Sequence, residues 1–392
     1  MKARQAQILD SFLFLATNRI PDTNSLALTA VSALLSKNNI DPLTIGRLEV
    51  GTESLLDKAK STKTVLMQLF APHGDIEGVD TYNACYGGTA ALLNAVHWIE
   101  SSAWDGRDAI VVAADIALYD TVAARPTGGA GCIAMLVGAD AELVIEPLRA
   151  SYMRHEYDFY KPDFGSEYPL VDKFSSRRYI EALDMCYRGY WGKKKGMMGM
   201  EGGEGGMGLK SPGLDGRSTE VRAPLDEFDF FVFHAPNCKL VSKAYARLQW
   251  NDFVACPDKA PFGLDAAPST TRELDYEASL QDKSLEKLFM ELSRERFSQR
   301  VQPSLTCPTM CGNMYTASLY SGLVSLLSNV PSEELFGKRI GMFSFGSGLA
   351  STLFSLRVIG DVKRLVQGID LHARLAGREK VSPGFYDEVS GL

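Results

Sequence analysis

Short, nearly unbroken apolar runs recur along this chain: IGRLEV (45–50), AIVVAADIAL (109–118), CIAMLVG (132–138), ELVIEPL (142–148), FDFFVFH (228–234), RIGMFSF (339–345) and STLFSLRVI (351–359). A strand with one wet face alternates apolar and polar residues, whereas a strand covered on both faces stays apolar throughout. These runs alternate with segments of helical spacing. They predict an α/β architecture whose sheets are covered by helices on both sides.

The pattern also repeats. NACYGGTAALLNAV (83–96) and NMYTASLYSGLVSL (313–326) both begin with Asn, pass a Tyr and run into a long helix rich in small residues. Each is expected to follow a strand, and each is followed by a basic Gly-Arg or Gly-Lys-Arg step into an apolar strand, DGRDAIVVAAD and GKRIGMFSFGSG. Only Thr89, Asn94, His97 and Ser101 break the first helix's apolar surface; Ser318, Ser321, Ser325 and Ser328 form a stripe on the second. The pattern predicts two helices packed closely at the centre of two similar halves.

Between the halves lies WGKKKGMMGMEGGEGGMGLKSPGLDGRS (191–218). Glycine at this density costs backbone entropy that regular structure does not recover, so the segment reads as a solvent loop or a flexible lid.

Composition narrows the class. A formal charge of −7 argues against general nucleic-acid binding but not against a local basic pocket for a small anion. Seven cysteines do not suggest a secreted disulfide framework, and the five scattered histidines suggest no zinc site. No apolar run reaches the roughly 18 residues that a membrane span needs. The opening MKARQAQILDSFLFLA has early basic residues, but Asp10 interrupts its apolar run; a cytoplasmic protein is the expectation.

Several residues stand where chemistry is possible. Cys85 lies just before the first small-residue helix, where the positive end of the helix dipole lowers a thiol pKa and favours the thiolate. Gly87 and Gly88 would let a substrate carbonyl approach backbone N–H groups. His234 ends an apolar strand, a position for a general acid or base. Glu53 follows IGRLEVG, where a carboxylate in a dry site gains a raised pKa suited to removing a carbon-bound proton. Asn313 and Ser347 follow similar strand or loop signals and supply hydrogen bonds of fixed polarity. Pattern alone leaves plainer readings open: an inert core thiol, a satisfied core histidine, a first-turn glutamate.

Taken together, EVGTES, DTYNACYGGTAALLNAVHWIESSAWDGR, ARPTGG, YDFYKPDF, SEYPLVD, FHAPNCKLVSK, GNMYTASLYSGL and GKRIGMFSFGSG resemble eukaryotic-type hydroxymethylglutaryl-CoA synthase, in order from about residue 22 to 360. The resemblance implies the thiolase-like fold: two pseudo-symmetric halves in five αβαβα layers, with two buried central helices. It divides the chain into residues 1–146, carrying Cys85 and Glu53, and 147–392, carrying His234 and the 191–218 insertion.

The implied reaction condenses acetyl-CoA with acetoacetyl-CoA through an acetyl group on Cys85, with Glu53 as base and His234 at the ketone. It implies no metal or redox cofactor, and a homodimer. Lys239 and Lys243, four apart on one helix face, match positions that contact CoA, although a solvated pair is the plainer reading. Thr127, Ser175, Asn313 and Ser347 match substrate-contact positions.

Some positions depart from the family. Ala123 stands where the family has Asn, Asn237 ends a HAPN that is usually HSPY, and Phe345 replaces a Tyr. Residues 1–21 do not resemble the family's opening strand and Gly-rich segment, which predicts a sheet short of a central strand. A closing segment is expected beyond about residue 390. The rival readings are another condensing enzyme of the superfamily, such as a ketoacyl synthase III-like protein, and a shortened, non-catalytic thiolase-fold protein.

Overall fold

Each strand of the sheet is apolar on two faces because each face meets a different helix layer. In β4 (Asp108–Ala117), Ile110, Val112 and Ala114 pack with Leu26, Ala30 and Leu34 of the helix Thr23–Asn38. Ala109, Val111 and Ala113 point the other way, toward Leu92, Val96 and Ile99 of the helix Gly87–Glu100. The computed structural model describes residues 7–13, 22–139, 141–162, 168–172, 174–201, 224–255 and 267–390.

The remaining strands are β1 (Gln7–Leu13), β2 (Ile45–Gly51), β3 (Asp80–Thr81), β5 (Gly129–Gly138), β6 (Leu143–Ile145), β7 (Ala150–Met153), β8 (Phe159–Tyr160), β9 (Leu170–Val171), β10 (Phe230–Phe233), β11 (Arg339–Gly346) and β12 (Ala350–Val358). Among the described residues the main sheet runs β10-β11-β12-β6-β1-β5-β4-β2-β3, with β7 added beside β12. Its order shows a pseudo-twofold relation between β1 and β6. Outward on one side, β1–β5 and β5–β4 are antiparallel and β4–β2 is parallel. Outward on the other, β6–β12 and β12–β11 are antiparallel and β11–β10 is parallel.

The inner faces of both halves enclose one cluster, joining Val111 and Ile133 to Val232, Met342 and Leu356 around the helices Gly87–Glu100 and Ser318–Asn329. On the outer face of the second half, the helices Ser175–Glu201 and Cys238–Ala255 bring Tyr179, Leu183, Val241 and Tyr245 against Phe231, Phe233, Phe343 and Leu353. The result is the five-layer αβαβα order implied by the resemblance. No helix among the described residues is long and apolar enough to cross a membrane.

Three expectations are corrected. The sheet is not short of a central strand: QILDSFL forms β1, paired with β5 from Gln7↔Gly138 to Leu13↔Cys132 and with β6 at Gln7↔Val144. Strand pairing uses backbone N–H and C=O, which any non-proline sequence supplies, so a divergent sequence can take this place. The Gly-rich segment is not irregular from its start, because the helix that opens at Ser175 continues to Glu201. Residues 202–218 lie outside the described residues.

The third concerns the central helices. The second is preceded by a short helix, Thr306–Cys311, rather than a strand. Its serine stripe does not face the first helix: Ser318 Oγ accepts the Ala235 N–H at 3.1 Å and Ser325 Oγ accepts the Cys307 N–H at 2.9 Å. The helices meet instead through Thr89, whose Oγ1 lies 2.9 Å from the Tyr320 hydroxyl.

Candidate active site

Cys85 sits in a tight loop between β3 and the helix that opens at Gly87. Tyr86 N–H donates to Asn83 O at 3.0 Å and Gly87 N–H to Ala84 O at 3.2 Å, while Ala84 takes a left-handed φ of 40°. The loop is held from the other half of the molecule. A Cβ on Gly346, at the end of β11, would stand 2.4 Å from Asn83 O and 2.5 Å from Tyr86 N. Tyr86 also reaches across, its hydroxyl 2.7 Å from Thr352 Oγ1.

The glycines beside Cys85 face protein. A Cβ on Gly87 would lie 2.8 Å from Thr81 O, and one on Gly88 would lie 2.9 Å from Ala113 Cβ and from Thr316 O. They allow the two halves to close on the helix start.

Cys85 is half-buried; desolvation by the surrounding protein pushes its thiol well above the ordinary value, the Glu53 and Asp115 carboxylates add to that, and Lys161 opposes it.

Glu53 follows β2, and its backbone is fixed by Asp115, a fully buried carboxylate in β4. Asp115 Oδ1 accepts from Glu53 N–H at 2.8 Å, Ser54 N–H at 3.0 Å and Thr52 Oγ1 at 2.9 Å. Its Oδ2 accepts the Thr316 N–H at 3.0 Å and also the Thr316 hydroxyl. Burial pushes the Asp115 carboxyl up, while the Thr316 bonds, the Lys161 charge and the Glu53 N–H work against that.

Asn313 and Thr127 come together at the same loop. Asn313 N–H donates to Thr127 O at 2.8 Å, and Asn313 Nδ2 donates to the Tyr119 hydroxyl at 3.2 Å. Burial pushes the Tyr119 hydroxyl up, and its hydrogen bond with Asn313 works against that. Ser347 lies between Gly346, which backs the Cys85 loop, and Gly348, whose N–H donates to Asp158 Oδ1 at 2.9 Å.

His234 extends β10 by one residue, its N–H donating to Phe343 O at 2.8 Å. The ring is 1% exposed, and neither nitrogen has a hydrogen-bond partner among the described residues. Burial pushes it down to about 3, so it is neutral at physiological pH. Tyr179 ties it to the rest of the site: its hydroxyl donates to His234 O at 2.7 Å, and its ring stands 5.0 Å from that of Phe345.

The other carried-over residues lie further along the second half. Ser175 opens its helix, with its N–H donating to Asp172 O at 3.1 Å. Lys239 is exposed on the first turn of Cys238–Ala255, and Lys243, one turn on, pairs with Glu286 at 3.0 Å.

The two halves also match known sequences separately. Residues 11–142 fit the N-terminal model of hydroxymethylglutaryl-coenzyme A synthase, and 143–391 fit its C-terminal model. The chain belongs to the hydroxymethylglutaryl-CoA synthase family. It is 62% identical over 373 residues to hydroxymethylglutaryl-CoA synthase erg13A of Aspergillus fumigatus, covering 95% of this chain and 77% of that one. Against the hydroxymethylglutaryl-CoA synthase of Saccharomyces cerevisiae it is 51% identical, covering 93% and 71%. The solved structure of MvaS in complex with 3-hydroxy-3-methylglutaryl coenzyme A superposes with a TM-score of 0.79 at 30% identity, covering all of this chain and 93% of that one.

The departures from the hydroxymethylglutaryl-CoA synthase pattern have local readings. Asn237 caps the helix Cys238–Ala255, its Oδ1 accepting the Leu240 N–H at 2.9 Å. Phe345 is buried against Tyr179. Ala123 is an exposed turn residue.

Sequence reasoning missed Asp115, Tyr119, Lys161, Tyr179 and Tyr315. Asp115 carried a signal: an acidic residue inside the unbroken run AIVVAADIAL is costly to bury unless it is fully hydrogen-bonded. Lys161 sits in YDFYKPDF, a basic residue among aromatics.

Proposed function

We propose that this chain joins acetyl-CoA, acetoacetyl-CoA and water to give (S)-3-hydroxy-3-methylglutaryl-CoA and free CoA. Cys85 Sγ attacks the acetyl carbonyl, the bond to the CoA sulfur breaks, and CoA leaves as its thiol. Glu53 takes a proton from the acetyl methyl group, and the resulting enolate carbon attacks C3 of acetoacetyl-CoA. His234, neutral in its buried site, donates a ring N–H to the ketone oxygen as it becomes an alkoxide, and that oxygen is then protonated. Water cleaves the thioester to Cys85, releasing the carboxylate product and restoring the thiol.

The observation that carries this reading is that the loop of Glu53 abuts the start of the Cys85 helix, a Cβ on Gly87 standing 3.5 Å from Thr52 N, while Asp115 pins the Glu53 backbone to the other half of the molecule. Thr127, Asn313 and Ser347 would position the substrates, with Ser175, Lys239 and Lys243 along the CoA arm. The reaction balances with thioesters and water alone. A cytoplasmic homodimer serving mevalonate, isoprenoid and sterol supply is the setting we propose.

Incubation with acetyl-CoA followed by peptide mass spectrometry tests the first step. One acetyl group on the Cys85 peptide is expected, together with CoA release that needs acetoacetyl-CoA. Absence of the label would favour a non-catalytic thiolase-fold protein. Unchanged CoA release in C85A or E53A would overturn the mechanism.

A further inference from the structure

A cysteine attacks a thioester as its thiolate, so a site that uses one must offer positive charge. The loop of Glu53 abuts the start of the Cys85 helix, where a Cβ on Gly51 would stand 2.3 Å from Gly88 N and one on Gly87 3.5 Å from Thr52 N. Among the described residues, the titratable groups in this neighbourhood include Glu53 from the loop after β2, Asp115 from β4, Tyr119 from the loop after β4, Tyr315 from the loop before the second central helix, and Lys161 from the end of β8. Glu53 and Asp115 are acidic, and burial raises both tyrosines, so their phenols stay neutral. His234 is buried and uncharged. The cation in this set is Lys161.

Its placement is built. Lys161 Nζ lies 3.5 Å from the main-chain oxygen of Glu53 and 5.3 Å from the centre of the Tyr315 ring. Phe159, two residues earlier, packs edge-on against the same ring at 5.8 Å. Asp115 meanwhile holds the N–H of Glu53 at 2.8 Å. The main chain of Glu53 is therefore met by an anion at its donor and by a cation at its acceptor. A cation over an aromatic face and beside a carbonyl keeps its charge while partly out of water.

We propose that Lys161 is a positioning residue for the condensation: its ammonium group is the counter-charge that lets Cys85 react as a thiolate, and it steadies Glu53 through the main-chain oxygen. The inference rests on the reading of Cys85 as nucleophile given above. On ionisation the Sγ proton passes to solvent, and the ammonium keeps all of its own protons.

The test follows alkylation of Cys85 by iodoacetamide against pH in the full chain without any CoA ester, located by peptide mass spectrometry. Alkylation forms a carbon–sulfur bond as the carbon–iodine bond breaks and iodide leaves. K161M removes the charge, K161Q removes it while keeping a donor for the Glu53 carbonyl, and K161R keeps it. Both neutral variants are expected to move the alkylation profile to higher pH, the rate at pH 7 falling about tenfold for every pH unit the profile moves. K161R is expected to stay within about threefold of the parent, since its charge is kept. Parent-like profiles in K161M and K161Q would overturn the proposal, as would a K161R as slow as K161M. If K161M fails to fold, K161Q carries the test because its neutral amide is polar and offers a donor on the side facing the Glu53 carbonyl. Failure of the condensation reading looks different: a normal alkylation profile with no acetyl label on Cys85.

Discussion

Asp115 accepts the main-chain N–H of Thr316 at 3.0 Å, a hydrogen bond from the start of the second half's central segment to a carboxylate in the first half. The other oxygen of the same carboxylate holds Glu53. One buried side chain thus fixes the proposed base relative to the seam between halves.

Replacing it should disturb both stability and activity. Asp115→Ala leaves the N–H groups of Glu53 and Thr316 without this acceptor, at a cost of about 2–4 kcal/mol by urea unfolding. Asp115→Asn keeps the volume but turns an NH2 toward N–H donors. It is expected to lower kcat by 10-fold or more, about 1.4 kcal/mol, with a smaller change in KM. A kcat equal to the parent's would remove Asp115 from the positioning of Glu53.

His234 makes a pH prediction with a definite sign. The unfolded ring takes a proton below about pH 6.5, whereas the folded ring resists it down to about 3. The unfolded chain therefore holds more protons in that window, so stability falls as the pH drops below about 6.5, by up to roughly 1.4 kcal/mol per pH unit. Urea unfolding of the parent and of His234→Asn at pH 7 and pH 5 should show a shallower decline in the variant. Parallel declines would mean that the histidine is not buried in its neutral form.

Gly346 tests how the Cys85 loop is held. A Cβ there would meet Asn83 O at 2.4 Å and Tyr86 N at 2.5 Å, both backbone atoms that cannot turn aside. Gly346→Ala should destabilise the protein by about 1–3 kcal/mol. It should also slow acetylation of Cys85 more than Gly337→Ala at a glycine remote from this loop. Acetylation at the parent rate would show that the loop tolerates displacement.

The two lysines should separate. Lys239 is exposed, while Lys243 is already engaged by Glu286. Lys239→Ala is expected to raise KM for the CoA thioesters roughly three- to tenfold with little change in kcat, the signature of lost uniform binding. Lys243→Ala should raise it less, and Glu286→Gln, by releasing Lys243, should lower it. Steady-state kinetics on the three variants would decide the order, and a larger effect at Lys243 would reverse this assignment.

What could be read in advance follows a physical division. Strand positions were legible because burial on both faces forces an unbroken apolar run, and the cores beside β4 and β11 are made of those residues. The repeat around Cys85 and Asn313 was legible because each central helix needs the same small, apolar surface. The serine stripe misled, since spacing gives a face but not the neighbour that the face meets. The segment after Trp191 misled at its start, where a helix begun sixteen residues earlier at Ser175 carries through glycines that alone would not nucleate one.

By itself, then, the sequence determined the layered α/β class, the two related halves and the candidate residues Cys85, Glu53 and His234, because local pattern and residue chemistry are written along the chain. The tertiary structure decided that β1 completes the sheet, that Asp115 joins the Glu53 loop to Thr316, and that Lys161 stands over Tyr315 beside Glu53. It also placed the His234 ring in a buried site that keeps it neutral. Charge state depends on desolvation and on groups distant in sequence, and only the folded chain brings those together.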